Sequence, residues 1–298
     1  MSSKKKILIV LDVYEDFRQG PDNFPIEIEK AFRFITDKTK TEIILVGCGF
    51  EEYLHESYSS FAKDEVDIRK EYVNKLETRL ATVANKLTAN DYKVESKIHW
   101  AYPRYEQIAK EAKDHDVDLV IQHVNGSSQE DRHILSQDSW QLVRSCKRPL
   151  LLVRDKAWPS HPILMAAVDP MHSHHKPQGL DDNIMRAGLT AKDELNGELH
   201  VIHACSAAAR AFSSPAQIIE KHKQALDAFM SNYDLEESFI HMSEDKPVQA
   251  LVDFRKKLHA DIIVMGVMSK SRLAETLVGN TAEKVVDYMH TDVMVIRP

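Results

Sequence analysis

The chain repeats itself. Asp118-Leu-Val-Ile-Gln-His123 lies over Asp261-Ile-Ile-Val-Met-Gly266, 143 positions further on. The same offset carries Leu142-Val143 onto Val285-Val286 and Leu150-Leu-Leu-Val153 onto Val293-Met-Val-Ile296, with no gap from Asp118 to Arg154. Upstream, Asp12 matches Asp169 and Cys48 matches Cys205 at an offset of 157, so the first half carries a longer middle segment. With 298 residues, the chain has room for two domains of about 150 residues, each with its own core. An internal repeat of this length restricts the fold to two copies of one unit.

Each half alternates strand and helix. Strands are predicted at residues 6–12, 42–48, 93–100, 117–123 and 149–154, and again at 163–169, 198–204, 238–242, 261–266 and 292–297. These are apolar runs rather than alternating ones, as parallel strands covered on both faces require. A long helix over residues 61–88 places Val66, Ile68, Tyr72, Leu76, Leu80, Val83 and Leu87 near helical spacing. Strand and helix in alternation imply an α/β fold, a doubly wound parallel sheet in each half, with ligands at the C-terminal strand edge where strand order reverses. Two prolines in Ala157-Trp-Pro-Ser-His-Pro162 interrupt helix and ladder alike, which sets the domains at 1–157 and 158–298.

Composition excludes several function classes. Net charge is −7, and a compact basic run such as Lys4-Lys5-Lys6 is only three residues long, so the chain is not expected to carry the basic patch of a nucleic-acid binder. The apolar run Ile7-Leu-Ile-Val-Leu11 stops at Asp12, short of the roughly 7 to 15 residues of a signal peptide or the ~20 of a membrane helix. Cys48, Cys146 and Cys205 form no CxxC, and the expectation is a reduced, cytoplasmic protein. Cys48 and Cys205, at equivalent strand ends, are expected to serve packing. There is no GxSxG and no GxxxxGK[ST], so no catalytic residue is assigned.

One segment points to a ligand. The strand at 261–266 ends on Gly266, and Gly279 opens a helix with Asn280-Thr281-Ala282-Glu283. The chain has only nine glycines, about half the usual share of roughly 7%, so two at this place are informative. Backbone N–H groups and a helix N-terminus converge there, the arrangement by which α/β proteins hold phosphate. Asn280 with Glu283 also reads as a capping box, which stabilises a helix by about 1 kcal/mol with no ligand.

Three features resemble the universal stress protein family: an aspartate at the end of strand one, Asp261-Ile-Ile-Val-Met-Gly266 before a loop, and Gly279-Asn-Thr-Ala-Glu-Lys-Val-Val286. The stretch Asp169-Pro-Met-His-Ser-His-His-Lys-Pro177 and the following Leu180-Asp181 make the chain similar to the tandem two-domain bacterial members. Nucleotide-binding members carry glycine, two residues, glycine, nine residues, glycine, then serine or threonine after strand four. The resemblance implies a flavodoxin-like strand order 3-2-1-4-5 in each half and an internal pseudo-dimer formed through the last strands. It implies a stress-response protein that binds ATP or another adenine nucleotide in the second half. Gly266, Ser269, Gly279, Asn280 and Thr281 would then lie at the phosphates and Asp169 near the ribose or base. Ser271 and Arg272 lie in the variable loop.

Both halves depart from that pattern. Ser269 replaces the middle glycine in the second, and His123, Gly126 and Ser136 occupy the three positions in the first. Asp138 aligns with Thr281, where a carboxylate occupies the positive helix end itself, by about 0.3–1 kcal/mol, and repels a triphosphate. The first half is therefore not expected to bind ATP, and with no positioned general base weak ATPase activity is the most to expect. Two alternatives stay open. The incomplete loops suit a scaffold for a protein partner or an apolar ligand. The histidines of the second half, His172, His174 and His175 with His203 and His241 at strand ends, suggest zinc beside Asp169 or Asp181. Neither nucleic acid nor membrane is an expected partner, and further oligomerisation is left open.

Overall fold

A computed structural model of the chain describes residues 4–12, 24–50, 62–124, 136–171, 177–206, 214–267, 269–271, 274–278, 285 and 291–298. The described residues fall into two compact units, the first ending at Asp155 and the second beginning at Lys156.

In the first unit, β1 (Lys5–Leu11), α1 (Ile26–Arg33), β2 (Thr41–Gly49), α2 (Ala62–Ala89), β3 (Lys93–Trp100), α3 (Arg104–Asp114), β4 (Leu119–His123), α4 (Gln137–Ser145) and β5 (Leu150–Val153) follow one another. The strands pair in the order β3-β2-β1-β4-β5, all parallel. Ile7, Leu8, Ile9, Ile44, Leu45 and Val46 are fully buried, because both faces of the central strands are covered. Each such side chain contributes about 1.5–3 kcal/mol relative to exposure. The charged residues of β3, Lys93, Glu95 and Lys97, suit its place at the edge of the unit's strand order. Along α2, Leu76, Leu80, Val83 and Leu87 form the buried stripe that the periodicity predicts.

The second unit contains β6 (Ile163–Ala167), α5 (Leu180–Leu195), β7 (Glu198–Ala204), α6 (Pro215–Met230), β8 (Ile240–Ser243), α7 (Pro247–Leu258), β9 (Ile262–Gly266), β10 (Ser269–Ser271), β11 (Ala274–Val278) and β12 (Asp292–Ile296). Its main strands run parallel in the order β8-β7-β6-β9-β12, the same topology as the first unit. No helix among the described residues is long and apolar enough to cross a membrane.

The repeated aspartate has a structural cause. Asp118 N–H donates to the Lys6 carbonyl at 2.9 Å while its Oδ2 accepts from Lys6 N–H at 2.8 Å. Asp261 does the same to Ile163, at 2.8 Å and 3.2 Å. Each clasp fixes the start of the fourth strand of its unit against the first, across the point where strand order reverses. Asp261 is the more deeply set, with Lys156 Nζ at 3.3 Å and its carbonyl accepting from Thr291 Oγ1 at 2.6 Å.

Two elements differ from the sequence expectation. The strand expected at 238–242 begins at Ile240, because Glu237–Phe239 forms a 3-10 turn closed by the Phe239 N–H to the Glu236 carbonyl. The segment between Gly266 and Gly279, read as a loop, holds the antiparallel pair β10 and β11, with Ser269 opposite Val278 and Ser271 opposite Ala274. Glu275-Thr-Leu-Val278 shows no alternation at period two, so the sequence carries no strand signal there beyond the β-forming Thr276 and Val278.

Candidate functional site

In the second unit the strand order reverses between β6 and β9, which run side by side with Ala167 opposite Met265. The two residues that follow Ala167 reach Asp169, and the one that follows Met265 is Gly266. The structure thus brings these two predicted site residues to adjoining strand ends. The Asp169 carboxylate is half-exposed, 46% accessible, with its Oδ1 3.9 Å from His203 Nδ1. Its backbone is held from beneath: Asp169 N–H donates to Asp181 Oδ1 at 3.2 Å. Asp181 is buried in the first turn of α5, where the helix dipole favours its charge. Asp181, a suggested metal ligand in the sequence, is therefore a clasp on the Asp169 main chain.

Gly266 meets a packing demand. A Cβ built there would lie 2.8 Å from Leu180 Cδ2 and 3.1 Å from Ile184 Cδ1, both on α5. Glycine lets that helix approach β9 closely, a need that exists without any ligand. Ser269 sits in β10. Gly279, Asn280 and Thr281 lie outside the described residues, as do His172, His174 and His175.

The other two histidines of the zinc reading, His203 and His241, are each engaged with a second histidine. His203 is fully buried; its Nδ1 donates to the Val168 carbonyl at 3.0 Å, and its Nε2 then accepts from His222 Nδ1 at 2.8 Å. On the opposite face of β7, His200 Nε2 donates to Glu198 Oε1 at 2.7 Å and its Nδ1 accepts from His241 Nε2 at 2.8 Å. His200 and His203 face opposite sides because they stand an odd number of residues apart on one strand. No group of three or more histidine, cysteine, aspartate or glutamate side chains able to hold a metal occurs among the described residues. The zinc reading therefore loses His203 and His241, which are held in separate pairs.

These pairs have a consequence for pH. Burial holds the His241 imidazole below the ordinary histidine range, and His200 and Lys257 add to the effect. In the first unit burial lowers His99 as well, against the opposing charge of Glu111. A folded value below the unfolded 6.5 means that the folded chain binds fewer protons. Stability from these groups is complete above the unfolded value of 6.5 and is lost as pH falls from there through the lower folded value. We expect the urea midpoint to drop between about pH 7.5 and about pH 5.5, and His241→Asn to flatten that slope. A midpoint that stays level or rises toward acid would contradict this assignment.

The first unit spends the corresponding positions internally. His123, in place of Gly266, lies 2.9 Å from Asp155 Oδ1. Ser136, in place of Gly279, caps α4 by accepting from Ser139 N–H at 3.1 Å. Asp138 pairs with Arg104 Nε, across from the first turn of α4. Burial pushes the Cys48 thiol up to about 12, with Asp138 and Glu111 adding and Arg104 opposing, so it stays protonated. Cys48, Cys146 and Cys205 are buried and form no disulfide. Sequence reading missed His222, His200 and Arg104. Only Arg104 left a signal, since the 143 offset places it on Pro247, the first residue of α7.

Two tandem units of parallel strands, each with a reversal of strand order between its first and fourth strands, define a tandem doubly wound α/β protein. The model of the universal stress protein family matches residues 53–154 and 171–297, and the chain belongs to that family. It is similar to universal stress protein E of Salmonella typhi, 25% identical over 216 residues that cover 69% of each chain. A universal stress protein E homolog of Haemophilus influenzae is 21% identical over 99% of this chain and 97% of its own. A solved Pseudomonas aeruginosa UCBPP-PA14 structure assigned to the family is 23% identical, covers 99% of this chain and 94% of its own, and has a TM-score of 0.72.

Proposed function

We propose that this is a cytoplasmic stress-response protein that acts by binding an adenine nucleotide in its second half, at the end of β6 and β9. The observations that support the reading are a first-unit edge engaged by its own side chains and an exposed aspartate at the strand-order reversal of the second unit. In the first unit Ser136 and Asp138 are engaged by Ser139 and Arg104. In the second, the Asp169 carboxylate is half-exposed on a main chain anchored by buried Asp181, next to Gly266.

Each residue has a definite part in this reading. Asp169 accepts hydrogen bonds from ribose hydroxyls, and Asp181 keeps its main chain in place. By the family's sequence pattern, the backbone N–H groups of Gly279 to Thr281 would take the phosphates. Ser269 replaces a glycine of the pattern, and its Cβ weakens the grip. In this reading Asp169 is given to the ribose rather than to an attacking water, and the proposed role is binding, with weak ATPase activity at most. Three buried thiols with no disulfide suit a reducing compartment.

Native mass spectrometry of freshly purified protein tests the reading. A mass increment of one adenine nucleotide per chain, present as isolated or after adding ATP, is expected. Absence of any adduct at millimolar ATP would overturn it and leave the alternative of a scaffold for a protein partner or an apolar ligand.

A further inference from the structure

The edge of the first unit that lacks a complete glycine loop carries something else. Phe50 follows β2, and its ring stacks on Tyr102 at 4.9 Å and 22°. Phe50 also meets Trp100 at the end of β3, 5.7 Å away. Trp100 in turn packs edge-on against Tyr72 of α2 and under the Arg69 guanidinium, 4.9 Å from its ring. Tyr102 is 76% exposed, and among the described residues Phe50 is its only ring partner. One face of a rigid, supported aromatic ring is therefore left to solvent. Trp100 Nε1 adds a donor that is buried with no hydrogen-bond partner.

A charge follows this shelf in the chain. Arg104, two residues beyond Tyr102, is tied through Nε to Asp138, which leaves the two Nη groups without a partner among the described residues. The guanidinium is thus fixed in orientation with its outer fork unused. A fixed fork is matched by the two oxygens of one carboxylate. Asp138 neutralises part of the charge, and Ser136 already caps α4, so a polyphosphate finds neither the excess charge nor the free helix end it needs.

The second unit has no counterpart. The 143 offset lays Trp100 on Ser243, Tyr102 on Asp245, Arg104 on Pro247 and Asp138 on Thr281. There Ser243 Oγ donates to Asp245 Oδ2 at 3.1 Å, which makes that edge polar and acidic. The shelf is a feature of the first half alone.

We propose that the first unit binds a small aromatic carboxylate, its ring on Tyr102 and its carboxylate on the Arg104 fork. This site is separate from the nucleotide reading of the second half and does not depend on it.

Calorimetric titration of the full chain with 2-naphthoate and with its neutral isostere 2-naphthamide tests the site. Naphthoate is expected to bind once per chain, about tenfold or more tighter than the amide, the difference expected of a charge-assisted pair. Arg104→Gln should level the two ligands, while Arg104→Lys keeps part of the preference. Tyr102→Ala should weaken both by about tenfold, as loss of a stacked ring does. Tyr102 is exposed and Arg104 lies at the surface, so the fold survives these changes, and thermal midpoints verify this. Saturating ATP should leave naphthoate binding unchanged. No saturable naphthoate binding, binding that both Tyr102→Ala and Arg104→Gln leave intact, or displacement by ATP would overturn the proposal.

Discussion

Asp261→Ala should lower the unfolding free energy of the second unit by about 2–3 kcal/mol. The change removes the acceptor for Ile163 N–H at 3.2 Å and the partner of Lys156, at a side chain only 6% exposed. A part-buried donor that loses its acceptor costs much of its desolvation, and the Lys156 ammonium loses its partner with it. Asp118→Ala breaks the matching clasp in the first unit, but the Lys6 N–H it frees is exposed, so water replaces the carboxylate. Its cost should be below about 1 kcal/mol. Asp261→Asn keeps an acceptor for Ile163 and loses only the charge toward exposed Lys156, also about 1 kcal/mol or less. Urea unfolding followed by circular dichroism orders the three variants. Equal losses for Asp261→Ala and Asp261→Asn would show that the clasp is not what stabilises this edge.

Gly266→Val should destabilise the second unit by about 2–3 kcal/mol through overpacking. Leu180 and Ile184, the atoms a new side chain would meet, are themselves buried and have little room to move. Gly266→Ala adds one methyl, against Leu180 Cδ2 and Cγ and Ile184 Cδ1, and should cost less, about 1 kcal/mol. The pair Gly266→Ala with Leu180→Ala should be less damaging than the two single changes combined, since the second makes space for the first. Thermal midpoints without nucleotide read the effect directly. A Gly266→Val protein as stable as the parent would mean that α5 does not constrain this position, and that the glycine serves a ligand alone.

These two residues show how much the sequence could carry. Apolar runs located the main strands to within a residue or two, because parallel strands buried on both faces write themselves as uninterrupted apolar segments. The repeat placed Asp118 over Asp261, yet the clasp each forms depends on the register of a strand about a hundred residues away, which no local pattern encodes. Gly266 was legible as a special backbone position, but the close approach of α5 that requires it appears only once Leu180 and Ile184 are packed. The histidines misled for a geometric reason. The strand-end positions of His203 and His241 suggested one convergent edge, while His241 pairs with His200, which the alternation of side chains along β7 sends to the face opposite His203. The partners of the two, His222 and His200, are announced by nothing in sequence spacing. The Arg104–Asp138 pair was hidden likewise, although Asp138 itself was marked by its alignment with Thr281.

The central claim is that a nucleotide site survives in the second half only. Calorimetric titration with ATP of the parent chain, Gly279→Asp and Ser136→Asp measures it most directly. Aspartate at position 136 is as good a helix cap as serine, so that variant keeps α4 intact. One ATP per chain is expected for the parent and for Ser136→Asp, with no detectable binding to Gly279→Asp. Two sites in the parent, or binding that survives Gly279→Asp and disappears with Ser136→Asp, would contradict the claim.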